Sequence, residues 1–525
     1  MPEVEEKTGY VELFQTLCEA CGVFPDSKGI SPRAQVEAYL MRLGAEHGYR
    51  ALMTPPYSEE KKEHFEGAFV MPPVTGIHRD VHVADFSRMY PSIILSWNMS
   101  PETVRKVRLR ETAADRPSYL SHLPPTEFPL PSLHCVAPRT EIVFATDQKG
   151  LLVEALERML ALRKEWDKKK SAEPPGTAPW KEADRRSTAY KVAANAFYGV
   201  VGSPFSRYFV RDVAESVSTT GAWLIGETIK HAEACGFVVL YGDTDSIMVR
   251  AERAQFEAFV LDCNVSLYPR LLREKGCARN EVRIAYEKAF DLICLVGKKR
   301  YAGRYSHFKG TPATADSKPE IKGLEYKRGD SVRMAREFQR EIVERILALP
   351  REPGPEDKLG TLAEVITGFP EDPWLPFAAL VEAQRARVLG EPLVLDDVKV
   401  SKRLSRAPKD YVRKTKKDGN PSALPPQVEV AYMLKERGLA VRSGMMIDYV
   451  VIDGATSPAT YAPADGFAGE VDRIHLWEKL VYPPSQRVLE AAFPMYDWAA
   501  LLRVRPRRRR GENRFSGQGV LPGVS

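Results

Sequence analysis

Tyr241-Gly242-Asp243-Thr244-Asp245-Ser246 is flanked by two apolar runs, Val238-Val239-Leu240 and Ile247-Met248-Val249. Apolar, β-branched runs on either side of a short polar stretch predict strand, turn, strand. Two acids two positions apart in so tight a turn face one side. A second strand pattern also ends on an acid: Val81 and Val83 alternate with His82 and Ala84, and Asp85 lies on the Val81/Val83 face just before Phe86. Carboxylates at the ends of buried strands, without basic neighbours in sequence, need a cation. Hard oxygen ligands of this kind suit Mg²⁺, which takes one or two carboxylates and completes its shell with water and substrate phosphates. Alone, an Asp-Thr-Asp turn reads as an ordinary capped turn, so its company decides the matter.

That company is a predicted helix carrying Lys191, Asn195 and Tyr198 at i, i+4 and i+7, on one face, before Gly199 ends the pattern. A lysine, an amide and a phenol suit a ligand face better than a core: a charge for a phosphate, a polar contact, an aromatic against a base or sugar. Upstream, apolar positions 152, 156, 159 and 160 predict a helix running through Arg163 into the charged stretch Lys164 to Lys170. Ser171 to Pro179 is a Pro/Gly turn, so two antiparallel helices are expected. Residues 1 to about 64 read as helices, with a periodic stretch from Ala34 to Leu43 and a polar connector over 55–62. Arg116 to Pro138 reads as proline-rich and irregular, Ala214 to Ala234 as a helix, and Arg351 to Asp357 as a loop.

The 525 residues predict three or four domains, with ample chain for a buried core. Hydrophobic residues at 44% and charged residues at 28% place the chain among globular proteins and argue against general disorder. No run of eighteen apolar residues predicts a membrane span, and no secretory signal is visible at the N-terminus. Seven cysteines, odd in number and scattered, suit a reducing compartment, so a cytoplasmic location is expected, whether nucleoid or infected-cell cytoplasm. Net charge is only +6, but it is unevenly placed. Between Lys399 and Lys417 nine Lys/Arg, Lys402, Arg403 and Arg406 among them, face the single acid Asp410. Six arginines and no acid lie between Arg503 and Arg510, so the rest of the chain is acidic. Such concentration is what the phosphates of a polyanion recruit through counterion release.

Together these blocks resemble the motifs of the family B DNA polymerases. Asp85-Phe86-Ser87-Arg88-Met89-Tyr90-Pro91-Ser92-Ile93-Ile94 is similar to their motif A, Lys191 to Gly199 to motif B, and Tyr241 to Ser246 to motif C. Lys298-Lys299-Arg300-Tyr301 resembles the basic motif that follows, and Ile321-Lys322-Gly323-Leu324-Glu325 a further family stretch. The resemblance runs from about residue 10 to about residue 500, weakening over 110–140 and beyond Arg503.

It implies a mixed α/β (α+β) fold, a right hand with an antiparallel palm sheet, helical fingers and a mostly helical thumb. Residues 1–64 would be a helical remnant before the palm, 65–140 and 200–330 the palm, 141–199 the fingers, 331–502 the thumb, and 503–525 a basic, disordered tail. It implies DNA-templated DNA synthesis on primer-template DNA from dNTPs. Asp85 and Asp245 would be the principal ligands of two Mg²⁺ ions (Mn²⁺ substituting), with Asp243 a lesser one, in the two-metal clamp of phosphoryl transfer. Lys191, Asn195 and Arg163 would meet the triphosphate, with Phe86 and Arg88 beside it. Tyr90 would be the steric gate against ribonucleotides, and Tyr198 would pack beside the nascent base pair. Lys298, Lys299, Arg300 and Tyr301 would hold the primer-template, and Lys402, Arg403 and Arg406 would grip duplex from the thumb.

Several departures stand out. Arg88 replaces the family's usual serine and Met89 its common leucine. Asp167 stands where a second fingers lysine often occurs. Only 84 residues precede Asp85, too few for a 3′–5′ exonuclease domain, so no proofreading is expected from this chain, and a separate exonuclease or processivity subunit is a candidate partner. No cysteine follows Cys294, so the C-terminal metal-binding module of eukaryotic replicative members is not expected in this chain. The short span from Lys191 to Asp245 favours nucleic-acid priming. The rivals are a catalytically silent, DNA-binding or scaffolding protein of the same fold, and the larger subunit of a split polymerase.

Overall fold

The computed structural model describes residues 9–25, 31–49, 67–106, 134–140, 142–308, 310–314, 316–350, 372–411, 423–455 and 459–502. The connector 55–62, most of the proline-rich stretch, the 351–357 loop, positions 413–417 and the basic tail from 503 lie outside the described residues. The chain divides into two units. The first is built from residues 1–74, 79–291 and 305–317, the second from 75–78, 292–304 and 318–525.

In the first unit, α1 (Tyr10–Cys21) stops at Gly22, whose φ of +61° lets its N–H reach back to the carbonyls of Cys18 and Glu19. Ser31 caps α2 (Pro32–Glu46) by accepting from the Ala34 N–H at 3.2 Å. Strand β1 (Gly76–Phe86) leads into the short helix α3 (Met89–Trp97). A small sheet of order β2-β4-β3 follows, from Val104–Lys106, Val143–Ala145 and His134–Val136. Its last strand corrects the sequence expectation of irregular chain there: Cys135 and Phe144 are fully buried, and the ladder to β4 satisfies their backbone.

The predicted pair of helices is α4 (Leu151–Ala172) and α5 (Ala178–Gly202). Leu152, Leu156 and Met159 share one core with Ala193, Phe197 and Val201, each side chain of Leu size stabilising the fold by roughly 1.5–3 kcal/mol. Lys170–Asp184 at 2.7 Å ties the outer ends together. Helix α5 does not stop at Gly199 as expected. It continues to Gly202, because the next turn supplies Val200 and Val201 to the core. Helix α6 (Arg211–Ala234) then packs Val217, Leu224 and Ile225 inward and hands the chain to β5 (Val238–Asp243) and β6 (Ser246–Arg250). Helices α7 (Arg253–Asp262) and α8 (Tyr268–Glu274) precede β7 (Ile284–Gly297). The central sheet of this unit has the order β7-β1-β6-β5, antiparallel between β1 and β6 and between β6 and β5.

In the second unit, the end of β7 turns into β8 (Arg300–Phe308), which pairs antiparallel with β9 (Glu320–Lys322). Helices α9 (Arg333–Leu347), α10 (Leu375–Gly390), α11 (Pro426–Glu436) and α12 (Tyr482–Ala492) enclose a core holding Phe338, Ile342, Val381 and Val428. The Trp477 and Tyr482 rings stack there at 4.9 Å. This region is mostly helical, as expected, and carries a small sheet besides. Val400–Arg403, Met446–Asp453 and Thr460–Pro463 form a three-stranded antiparallel sheet (β10 to β12) that buries Ile447, Tyr449 and Val450. The fold is mixed helix and antiparallel sheet, as expected. Among the described residues no helix is long and apolar enough to cross a membrane.

Candidate active site

The hairpin between β5 and β6 is as tight as the sequence predicts. Asp243 pairs with Ser246, only Thr244 and Asp245 lie between, and Thr244 adopts the left-handed φ of +59° that such a turn demands. On its other side Ser246 pairs with Asp85 of β1. Asp85 and Asp243 therefore flank one residue of the central strand, and each neighbouring strand is about 4.8 Å away. The Phe86 N–H donates to the Asp245 carbonyl at 2.7 Å, closing the end of the sheet over the turn.

Electrostatics follow from this crowding. The Asp85 carboxyl is pushed up to about 7, first by burial, then by the charges of Asp245 and Glu287, while Lys288 and Lys191 oppose the rise. Asp243 differs: its two oxygens accept from the Tyr241 hydroxyl at 3.2 Å and the Thr244 hydroxyl at 3.0 Å. Among the described residues no group of three His, Cys, Asp or Glu side chains is gathered closely enough to hold a metal by protein ligands alone. The chemistry of the Asp85/Asp245 pair still fits a divalent cation, because a dication reverses the penalty of placing two carboxylates together, and Mg²⁺ needs only one or two of them.

Beside Asp85 opens a cleft of 830 Å³ lined by Arg88, Arg163 and Lys191, with Glu157, Asp167, Arg279 and Glu281 on its walls. Arg88 stands at φ +55° at the start of α3. Burial and the Arg163 charge hold its pKa below the usual range, against the pull of Glu281 and Asp167. Lys191 is exposed on α5, and Asn195 is exposed one turn further on. At the next turn the Tyr198 ring meets that of Tyr90, centroids 4.5 Å apart. Burial first, then Tyr198 and Asp245, pushes the Tyr90 hydroxyl up to about 12.

Phe86 departs from expectation. Its ring is 1% exposed and packs on Tyr268 at 5.5 Å, so it belongs to the core and presents no surface to a nucleotide. Sequence reasoning also missed Glu287 and Lys288 of β7, which act on Asp85, and Arg279, which bridges Glu157 and Glu281 on the cleft wall. Lys288 is only 8% exposed, and nothing in the sequence alone pointed from it to Asp85.

In the second unit Lys298 and Lys299 form the exposed two-residue turn between β7 and β8, with Lys299 at φ +60°. A side chain at Gly323 would place its Cβ 2.1 Å from the Lys299 carbonyl, so only glycine allows this approach. Arg300 lies 3.8 Å from Glu325, to which Arg487 also pairs. Tyr301 is buried and donates to Glu320 at 3.2 Å. It supports the turn without reaching outward. Lys402, Arg403 and Arg406 lie on and just after β10, Arg403 donating to the Gly444 carbonyl at 3.1 Å. Lys399, at the head of this basic segment, is neutralised by Asp396 at 2.8 Å and Asp448 at 3.1 Å.

The sequence profile of DNA polymerase family B matches residues 29–482. DNA polymerase 2 of Aeropyrum pernix is 28% identical over 440 residues, 83% of this chain and 46% of that protein. The catalytic subunit of DNA polymerase alpha from Saccharomyces cerevisiae is 27% identical over 490 residues, 89% of this chain and 28% of that protein. Among solved structures, the family B DNA polymerase of Pyrobaculum calidifontis superposes with a TM-score of 0.62 at 26% identity, covering 93% of this chain and 54% of that one. The chain spans about half or less of the length of the curated relatives it matches.

Proposed function

The chain belongs to DNA polymerase family B, and from that premise we propose that it extends primer strands on a DNA template from dNTPs, releasing pyrophosphate. The observation that carries this reading is the register of the central sheet, with Asp85 and Asp243 on either side of Ser246 and Asp245 in the turn above them. In this reading residues 65–140 and 200–330 are the palm, 141–199 the fingers and 331–502 the thumb.

Asp85 and Asp245 would hold the divalent cations, with Asp243 a lesser ligand. When bound, the cations would supply Lewis-acid stabilisation of the attacking and leaving oxygens of an in-line displacement. The protein's own share is positioning. Lys191, Arg88 and Arg163 line the cleft beside Asp85 and would orient the triphosphate. Lys191 would donate its proton to the leaving pyrophosphate. Asn195 would add a polar contact, Tyr90 would exclude a 2′ hydroxyl, and Tyr198 would buttress it beside the nascent pair. The turn at Lys298 and Lys299, with Arg300, would hold the primer-template through backbone phosphates, as would Lys402, Arg403 and Arg406. Tyr301 would serve this turn from within.

The test is primer extension with Mg²⁺ on matched and mismatched primer ends. Extension of the matched primer without excision from the mismatched one is the expected result. No extension at any Mg²⁺ or Mn²⁺ concentration would favour a silent DNA-binding protein, and excision would overturn the expected lack of editing.

A further inference from the structure

Asp167 is an acid facing a cleft built for anions. It lies on α4 one turn beyond Arg163, and the Ser187 hydroxyl of α5 donates to its Oδ1 at 2.5 Å. Its Oδ2 stands 3.6 Å from Arg163 Nε. At that distance opposite charges attract but no hydrogen bond forms. Arg163 Nε is sealed from solvent and has no acceptor. Arg88 lines the same cleft, repelled by Arg163 and attracted by Glu281 and then by Asp167. Two of the cleft's guanidiniums, Arg88 and Arg163, thus feel one carboxylate, and a serine behind it keeps that carboxylate from closing on Arg163.

We propose that Asp167 is the resident counter-anion of the triphosphate site, a positioning residue held back by Ser187 so that it balances Arg88 and Arg163 without consuming their donors, and thereby sets nucleotide affinity. The inference rests on reading this cleft as the triphosphate site. A purely structural clasp is the alternative, as Lys170–Asp184 is at the outer end of the same helix pair. The two differ in sign. Asp167→Asn keeps the shape and the serine contact but removes a negative charge that competes with phosphate. Ser187→Ala releases Asp167 to pair fully with Arg163, where it would block the incoming anion.

The experiment measures calorimetric affinity of the full chain for inorganic tripolyphosphate, without primer or template, alongside KM and kcat for dNTP in primer extension. Asp167→Asn is expected to tighten tripolyphosphate binding and lower KM about three- to tenfold, and Ser187→Ala to weaken both by a similar factor, with kcat moving less than KM in each case. Shifts of the same sign in both variants, or unchanged affinity, would show a helix clasp and overturn the proposal. Because tripolyphosphate binding is read without DNA, the opposite signs decide the proposal even if the wild-type chain fails to extend a primer. That failure counts against the polymerase reading, whereas wild-type protein that binds no tripolyphosphate overturns both.

Discussion

The rings of Tyr90 and Tyr198 pack centroid to centroid at 4.5 Å and 44°, joining the start of α3 to the last turn but one of α5. Gly221 of α6 closes the other side: a Cβ there would come within 3.2 Å of Tyr90 Cε1 and 3.3 Å of Met89 Sδ. The Tyr90 ring is therefore wedged between a phenol and a helix backbone. A rigid ring discriminates by steric clash, which a mobile one cannot do. Tyr90→Ala is expected to lower dNTP-over-rNTP discrimination by at least about tenfold, roughly 1.4 kcal/mol. Tyr198→Ala should give a smaller loss in the same direction, since it frees the ring without removing it. Competitive incorporation of ribonucleotides by each variant is the measurement, and undiminished discrimination in Tyr90→Ala would refute the gate.

The asymmetry among the three aspartates yields a second expectation. Asp245 is coupled to Asp85, whereas Asp243 is occupied by two hydroxyls. Asp245→Ala should reduce single-turnover extension by several decades and Asp243→Ala by clearly less, each 1.4 kcal/mol of lost transition-state stabilisation being about tenfold. Primer-template affinity should hold in both, because neither lies in the basic segments. A fluorescence anisotropy titration separates loss of grip from loss of chemistry.

Stability carries the signature of the same pair. In the unfolded chain Asp85 titrates near 3.8, while in the folded protein it is pushed up to about 7. Between those values the native state binds the extra proton, so stability falls as pH rises from 4 to 7 and the penalty is fully present above 7. The group is partly solvated, so the penalty is on the order of 1 kcal/mol. In chelator the wild type should lose melting temperature between pH 5 and pH 8 relative to Asp85→Asn, and Mg²⁺ should restore it. Parallel pH profiles for the two proteins would show that neither burial nor the neighbouring carboxylates raise the Asp85 carboxyl.

Part of this site was legible in the chain because it is local. The hairpin around Asp243 and Asp245 is written in adjacent residues, as are the stripe of Lys191, Asn195 and Tyr198 and the helix through Arg163. Phe86 misled because a motif gives order along the chain and no direction for a ring; strand alternation, which put Asp85 on one face, sends its neighbour to the other. Glu287 and Lys288 were invisible because only the pairing of β7 with β1, two hundred residues apart, brings them to Asp85. Arg279 and Glu281 precede that strand and reach the cleft by the same long-range route. The three-stranded sheet of the second unit was hidden under a charge pattern: Lys402 and Arg403 follow buried Val400 along β10, and the basic excess masked the strand.

The turn of Lys298 and Lys299 supports the last prediction. Its backbone is fixed by the left-handed Lys299 and by Gly323 beneath it, so the two ammonium groups are carried on a rigid platform. Groups so placed bind phosphates by charge and read no sequence. Lys298→Ala and Lys299→Ala are each expected to weaken primer-template binding uniformly across sequences and to reduce the slope of log affinity against log salt by about 0.9, one counterion per lost contact. Arg300→Ala should do less, since Glu325 shares its charge in the free protein. Tyr301→Phe should leave affinity and slope unchanged while costing about 1 kcal/mol of stability, because the hydrogen bond to Glu320 is lost inside the protein. Salt titrations of the four variants check these outcomes together, and a Tyr301→Phe protein that lost DNA affinity at unchanged stability would mean that the phenol faces the duplex.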